Sequence, residues 1–306
     1  MSDEIILHHY FTSPFSEKVR LMFGIKGLAW RSVIQPTIMP KPDLTPLTGG
    51  YRRIPVMQIG ADVFCDSAVI MAEIERRHPS PKFIHGADWA TNQWADRIFF
   101  QPVVAIIFGA IGHTVPPEFI KDREAMSGGA FDVEGMKAAA LPMKGQFRAY
   151  AARLEQQLSN GKPYVAGDAP GLDDIAWYMN VWFYRSALRA DLDAQIDDMP
   201  NLKDWRARIR AIGYGQHSEM TTAEAIAVAA ASEPAPSAHI VHDPKDPASP
   251  EVGAHVNVVA DDNARDPIAG TMVASNLERI VIAREDPRVG RVHLHFPRAG
   301  FMAIKA

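Results

Sequence analysis

"TSPFSEKVR", residues 12–20, decides the fold. The apolar and aromatic run before it, "EIILHHYF" (residues 4–11), stops at the Ser-Pro signal as a strand stops at a turn. The next fifteen or so residues carry a helix start and a helix stop. Ser13 suits the N-cap, Pro14 the first helical position and Gly27 the end, while Phe15, Val19, Met22 and Phe23 recur at helical spacing. A serine in that position has two readings. It caps the helix by accepting a backbone N–H, or it offers its hydroxyl to a ligand drawn to the positive helix end.

Outward from this stretch, "WRSVIQP" (30–36) reads as a second strand and residues 36–53, rich in Pro and Gly, as mostly loop. "PVMQIG" and "DVFC" are short strands around the turn at Gly60-Ala61, and "DSAVIMAEIERRH" is a helix with Val69, Ile70 and Ile74 at apolar intervals. The order is βαβ, loop, ββα. Pro79 and Pro81 break the pattern, and residues 88–231 then read as helical, apart from a polar Pro/Gly-interrupted loop at 112–135. Five prolines (234, 236, 244, 247 and 250) mark a linker, and the alternating runs after it imply a small all-β unit. The expectation is therefore a multidomain chain: an α/β unit over 1–80, an all-helical unit over 88–232, a linker over 233–250 and a separable five-stranded, barrel-like unit over 251–306.

Composition narrows the function classes. Of 306 residues, 47% are hydrophobic and 22% charged, with a formal net charge of −4, which exerts no general pull on nucleic acid or anionic lipid. The β unit, counted from 235, holds eight Lys/Arg against nine Asp/Glu, so Arg279, Arg284, Arg288, Arg291 and Arg298 read as a solvated strand face. The lone Cys65 rules out an internal disulfide, fits a reducing compartment and reads as a buried small hydrophobe. Acids at the N-terminus and an apolar maximum of only "PVVAIIFGAIG" (102–112) point to a cytoplasmic protein with no membrane span. His293 and His295 share a strand face, yet with His242 or Asp286 they make an incomplete ligand set, and no metal is expected.

Three stretches in order, "SPFSEKVR", "RRIPVMQIG" (52–60) and "CDSAVIMAEIERRH" (65–78), resemble the cytosolic glutathione S-transferases, with a thioredoxin-like N-terminal domain and a helical C-terminal one. The resemblance implies Ser13 as the catalytic hydroxyl, with Tyr10 as the alternative. It puts Ile54-Pro55 where the family has a Val-cisPro dipeptide, leaving the Ile54 N–H and C=O free for a peptide ligand's backbone. It sets Arg53 near the glycine carboxylate of glutathione, Asp66 opposite the γ-glutamyl ammonium and Ser67 at the γ-glutamyl carboxylate. Phe15 completes the glutathione site and, with Phe11, faces an electrophile pocket. "VAGDAPGLDDIAWY" (165–178) is similar to the family's helix-capping segment, with Gly171 replacing a Ser or Thr, Asp173 replacing an Ala, and Asp174 kept.

The chemistry behind the resemblance is plain. A free thiol has a pKa of about 8.5, so only a few per cent is thiolate at neutral pH. A helix N-terminus and a donated hydroxyl proton both favour the anion. Ser13 and Ser16 occupy the two positions where redox relatives carry cysteines, so dithiol–disulfide chemistry of the chain's own is excluded. The expected function is a homodimeric transferase using glutathione as co-substrate against a hydrophobic electrophile. The alternative is a non-catalytic binding module whose β unit contacts a partner.

Overall fold

A computed structural model describes residues 4–236, 240–246 and 248–306. The opening is as the sequence implies: β1 (Ile6–His9) runs into α1 (Pro14–Ile25), capped by Ser13, and β2 (Ala29–Ile34) returns parallel to β1. After α2 (Thr45–Thr48) come β3 (Val56–Ile59) and β4 (Asp62–Cys65), an antiparallel pair, and then α3 (Ser67–Arg77). The helical unit holds α4 (Asp88–Trp94), a π-helical turn (Ala95–Phe99), α5 (Phe100–Ile111), α6 (Pro117–Ser127), α7 (Val133–Leu158), α8 (Leu172–Ala187), α9 (Arg189–Gln195) and α10 (Pro200–Ile212). Phe99, Phe147, Tyr184 and Trp205 are fully buried in a core continuous with Leu7, Met57 and Phe64 of the first sheet.

Asp174 explains how the glycine cap is tolerated. Its carboxylate, fully buried, accepts the N–H groups of Val165 (2.8 Å), Ala166 (3.1 Å) and Gly171 (3.0 Å) and the Trp205 indole N–H (2.7 Å). Four donors, the Gly171 N–H among them, thus tie the first turn of α8 to one carboxylate without a side chain on the cap residue. Among the described residues one helical run, Asp88–Thr114, is long and apolar enough to cross a membrane; here Phe99, Val103, Ile106 and Ile107 on it are buried in the helical core.

Three features depart from the expectation. Residues 112–135 are not a plain loop: α6 lies within them, opened by Pro117 and closed by Gly128 at φ +71°. Those two residues mark a helix start and stop, but its polar surface concealed the periodicity. Second, the helical unit ends at Ile212. Beyond it β5 (Gln216–Glu219) pairs parallel with β2, and α11 (Thr222–Ala230) packs Ala225 on Ile6 and Val33 of the first sheet.

The third concerns the β unit. A strand-rich region is present as expected: β6 (His255–Ala260), β7 (Ile268–Ser275), β8 (Arg279–Asp286), β9 (Gly290–Pro297) and β10 (Phe301–Lys305). These strands do not close into a barrel. They join the first unit in one ten-stranded sheet, ordered β10-β6-β7-β8-β9-β4-β3-β1-β2-β5. The join is parallel, Asp62↔His293, Val63↔Leu294 and Phe64↔His295. An unpaired β4 would present a bare row of N–H and C=O groups, and β9 satisfies it. Across the join, Val56, Ala61, Val63 and Cys65 share one apolar cluster with Val256, Ile268, Ile282, Leu294 and Phe296.

The linker is docked where it is described. Ile240 is buried on Ala274 and Val281, the Ala235 N–H donates to Asp62 (2.8 Å), and Asp246 pairs with Arg298 (2.7 Å). Pro247 and residues 237–239 lie outside the described residues. The arginines read as a solvated face are largely spent on the chain itself. Arg279 reaches Glu73 (2.9 Å), Arg284 the Ala269 carbonyl (3.0 Å), and Arg288 Asp43 (2.7 Å). His295 bonds Asp62 (2.8 Å) and stacks on Phe64, with ring centroids 4.4 Å apart, so it is a fastener of the join.

Candidate functional site

The turn between β1 and α1 is built from buried charge. Arg20, fully buried, donates to the Tyr10 carbonyl (3.3 Å), the Phe11 carbonyl (3.0 Å) and Glu17 (2.6 Å). It also donates to Nδ1 of His9 (3.1 Å), which leaves the ring proton on Nε2, bonded to Ser32 (2.9 Å). Burial, with the Arg20 charge behind it, holds His9 down to about 3, so it stays neutral. The Tyr214 hydroxyl completes the set on Glu17 (2.9 Å). A guanidinium thus fixes the backbone that carries Tyr10 and Ser13.

Ser13 is almost wholly buried and accepts the Ser16 N–H (3.1 Å), so the capping role is real. Its hydroxyl also reaches the Tyr10 phenol. Tyr10 is beside it: burial raises the phenol's pKa, while the Arg123 charge and hydrogen bonds from Ser13 and Arg123 pull it back. The two candidate hydroxyls therefore form one network. Phe15 packs edge-on against Phe100 (5.2 Å) and carries the Lys18 ammonium over its ring (5.4 Å). Lys18 crosses to the helical unit, bonding Asn92 (2.9 Å) and Asp96 (2.6 Å). Phe11 is half exposed, whereas Trp94 and Phe99 pack with Tyr150 and Trp177 inside the helical unit.

The second wall is the approach to β3 and the start of α3. The Ile54-Pro55 bond is cis and Ile54 lies before β3, outside the ladder. Asp66 caps α3, accepting the Ala68 N–H (2.8 Å) at φ 107°. A non-glycine residue there costs on the order of 1–3 kcal/mol, held by its surroundings, and such outliers cluster at ligand clamps. Ser67, buried, is the first helical residue. Burial raises the Asp66 pKa, opposed by the Ala68 N–H, Arg53 and Lys18, and Asp262 pushes it further up. Arg53 is not a bare surface cation: its guanidinium pairs with Asp262 and donates to the Asn263 carbonyl.

Sequence reasoning missed a basic recess behind Tyr10. Asp122 of α6 accepts the Met39 N–H (2.9 Å), Arg52 (2.6 Å) and Arg123 (2.8 Å), and Arg123 donates to the Thr37 carbonyl (3.1 Å). Lys41, 4% exposed, has the Met39 sulfur (3.9 Å) as its hydrogen-bond partner. Burial lowers its pKa to about 8, Asp122 opposing and Arg123 and Arg52 assisting. Two guanidinium groups thus hold one carboxylate, with the Lys41 ammonium close enough to feel all three charges. Lys41 sits between two prolines in a stretch without periodicity, and α6 read as loop, so only the fold brings them together.

The fold that presents Ser13 has counterparts in known proteins. The profile of the glutathione S-transferase N-terminal domain matches residues 7–82, and that of the C-terminal domain residues 92–208. A glutathione S-transferase-like protein from Pseudomonas syringae is 36% identical, with a TM-score of 0.79 over 99% of this chain and 100% of its own, so the match takes in the strand-rich region. A glutathione S-transferase from Rhodospirillum rubrum (21% identity, TM-score 0.50) covers 68% of this chain and 88% of its own. A Tau-class enzyme from mango (18%, TM-score 0.51) covers 69% and 90%. These last two show the shared fold alone. No curated protein matches the chain. Two domain profiles that span most of the chain, and a solved structure alike from end to end, establish that it belongs to the glutathione S-transferase family.

Proposed function

We propose that the protein is an enzyme that binds glutathione and activates its thiol for attack on a hydrophobic electrophile. The observation that carries this reading is Ser13: its oxygen accepts the Ser16 N–H at the positive end of α1, and its hydroxyl, shared with the Tyr10 phenol, turns to an arriving sulfur. A sulfur placed there gains a hydrogen bond that strengthens as negative charge develops on it. Tyr10 and Arg123 orient the hydroxyl from behind. Asp66 and Ser67 at the start of α3 receive the γ-glutamyl end, with Ile54 offering its backbone beside the cis proline. The cations for the glycine carboxylate are Arg53 and Lys41, the second a buried ammonium whose hydrogen-bond partner is a sulfur. Phe15 lines the passage toward Phe100 and the helical unit.

A glutathione-fold module that binds without turnover is the second reading. The Arg53–Asp262 pair favours it, because a protein carboxylate already lies on a cation that the ligand needs. The thiolate absorbance of bound glutathione near 240 nm separates the two, since it rises only if the thiol is activated. Ser13→Ala should abolish that rise and lower turnover about tenfold, roughly 1.4 kcal/mol, with affinity nearly intact. If Tyr10→Phe abolishes it while Ser13→Ala does not, Tyr10 is the donor and Ser13 only a cap.

A further inference from the structure

The β6–β7 connection, residues 261–267, reaches from the strand-rich region back to the proposed glutathione site. Asp261 pairs with Arg97 of the π-helical turn (2.5 Å), and Asp262 with Arg53. The Ala264 N–H donates to the Met126 carbonyl of α6 (2.5 Å), with Ala264 at φ +49°, and Asp266 lies 4.0 Å from Arg52. One short strap is thereby tied to the β3 approach, to the helical unit and to α6. Arg53 also lies over the Phe301 ring of β10 (5.8 Å), which fixes the guanidinium from the same side.

We propose that Asp262 is an internal carboxylate ligand of Arg53, and that it sets the affinity of the site by competing with the carboxylate of an incoming ligand. The inference rests on the reading above, in which Arg53 serves the glycine end of glutathione. A guanidinium binds carboxylates through a fork of N–H donors, and here Asp262 and the Asn263 carbonyl hold that fork. The pair is partly solvated, with side chains 15% and 30% exposed, so it is weak enough to yield. The tether still presents Asp262 at high effective concentration, and a free ligand must outcompete it. Displacement leaves a negative strap beside Asp66. Asp262 therefore acts as an affinity- and specificity-determining residue that the strand-rich region contributes to the first unit's site.

The test is calorimetric titration of wild type and Asp262→Asn with S-methylglutathione and with its glycine ethyl ester. Asparagine keeps the size of the strap residue and removes its charge. The variant should bind the acid roughly fivefold tighter or more, and the ester should bind both proteins alike. Equal or weaker binding of the acid by the variant overturns the proposal, as does a gain that persists with the ester. Equal binding leaves the glutathione reading standing, whereas binding by neither protein overturns both. Hydrogen exchange on the wild type reads the same competition should the variant not fold. The ligand should speed exchange across 261–267, and unchanged or slower exchange there counts against displacement.

Discussion

Arg279→Met is the sharpest probe of how the strand-rich region is fastened. Arg279, 3% exposed on β8, donates to Oε2 of Glu73 on α3 at 2.9 Å. Glu73 also takes Arg76 (2.6 and 3.0 Å) and Arg77 (2.7 Å). Burial alone would raise the Glu73 pKa; the hydrogen bonds from Arg76, and the charge and bonds of Arg279 and Arg77, hold it down to about 2 from an ordinary 4.5. That difference corresponds to roughly 3 kcal/mol of native-state stabilisation at neutral pH. Arg76 and Arg77 have side chains 44% and 24% exposed, so their contributions are screened, while Arg279 at 4% is not. Removing one charge-assisted bond of this kind costs about 1.5–3 kcal/mol. The full cost of an orphaned buried ion, roughly 3–5 kcal/mol, is not reached, because Oε2 keeps Arg76. The expected loss is about 2 kcal/mol.

Urea denaturation of wild type and variant reads this loss as a lower midpoint at unchanged slope. The pH dependence supplies the second check. Glu73 has a depressed folded pKa, so its stabilisation is complete above pH 4.5 and fades as pH falls toward 2. The gap between the two proteins should be widest at neutral pH and shrink over that window. A gap under about 0.5 kcal/mol, or one that stays constant from pH 7 to pH 3, would refute the assignment. A separate early transition for the strands, with α3 unaffected, would refute the shared body.

Two further outcomes come from the recess and the join. Lys41 has its pKa lowered to about 8, so it is a cation below that pH and loses charge above it; S-methylglutathione affinity should fall as pH rises through 8, and Lys41→Met should flatten the profile, a steep profile in the variant removing Lys41 from the site. Truncation after Ser232 should strip β9 from β4 and bare Val63 and Cys65, giving a poorly soluble, dye-binding chain; a truncated protein melting within about 3 °C of the full chain would mean the join contributes little.

Much of the first unit was legible because local signals and fold agree there. Ser13-Pro14 opens a helix in sequence and in structure, and the Ile54-Pro55 and Asp66-Ser67 pairs stand at the ends of the elements expected. Lys41, Asp122 and Arg123 were not legible. Each is an ordinary charged residue in sequence, and only the docking of α6 on the 37–39 segment makes them one group. Arg53 was legible as a cation but not as a paired one, since Asp262 is 209 positions away. The five-proline stretch is a real break in element type, yet prolines report local stiffness, not whether a following strand finds an open edge.

The edge itself did leave a trace. "DVFC" is buried at all four positions, and residues 292–297 of "RVHLHFP" at six in succession. A strand with a solvated face alternates; one covered on both faces reads as a continuous apolar run. Val63, Phe64 and Cys65 in succession are therefore the run of a strand covered on both faces: Phe64 lies in the core shared with the helical unit, Val63 and Cys65 in the cluster shared with the strand-rich region. Three of the strand-rich region's attachments to the first unit lie along the elements that carry the candidate site: His295 on Asp62 at the β4–β9 join, Arg279 on Glu73 of α3, and Asp262 on Arg53. Two of these are buried and one is partly open to solvent. On the proposed reading, a ligand that displaces the open one frees a loop whose flanking strands, β6 and β7, stay paired in the sheet that the other two anchor. On that reading, ligand binding at Arg53 and the Asp262–Arg53 pair are linked, and whatever tightens that pair must weaken the ligand by the same factor.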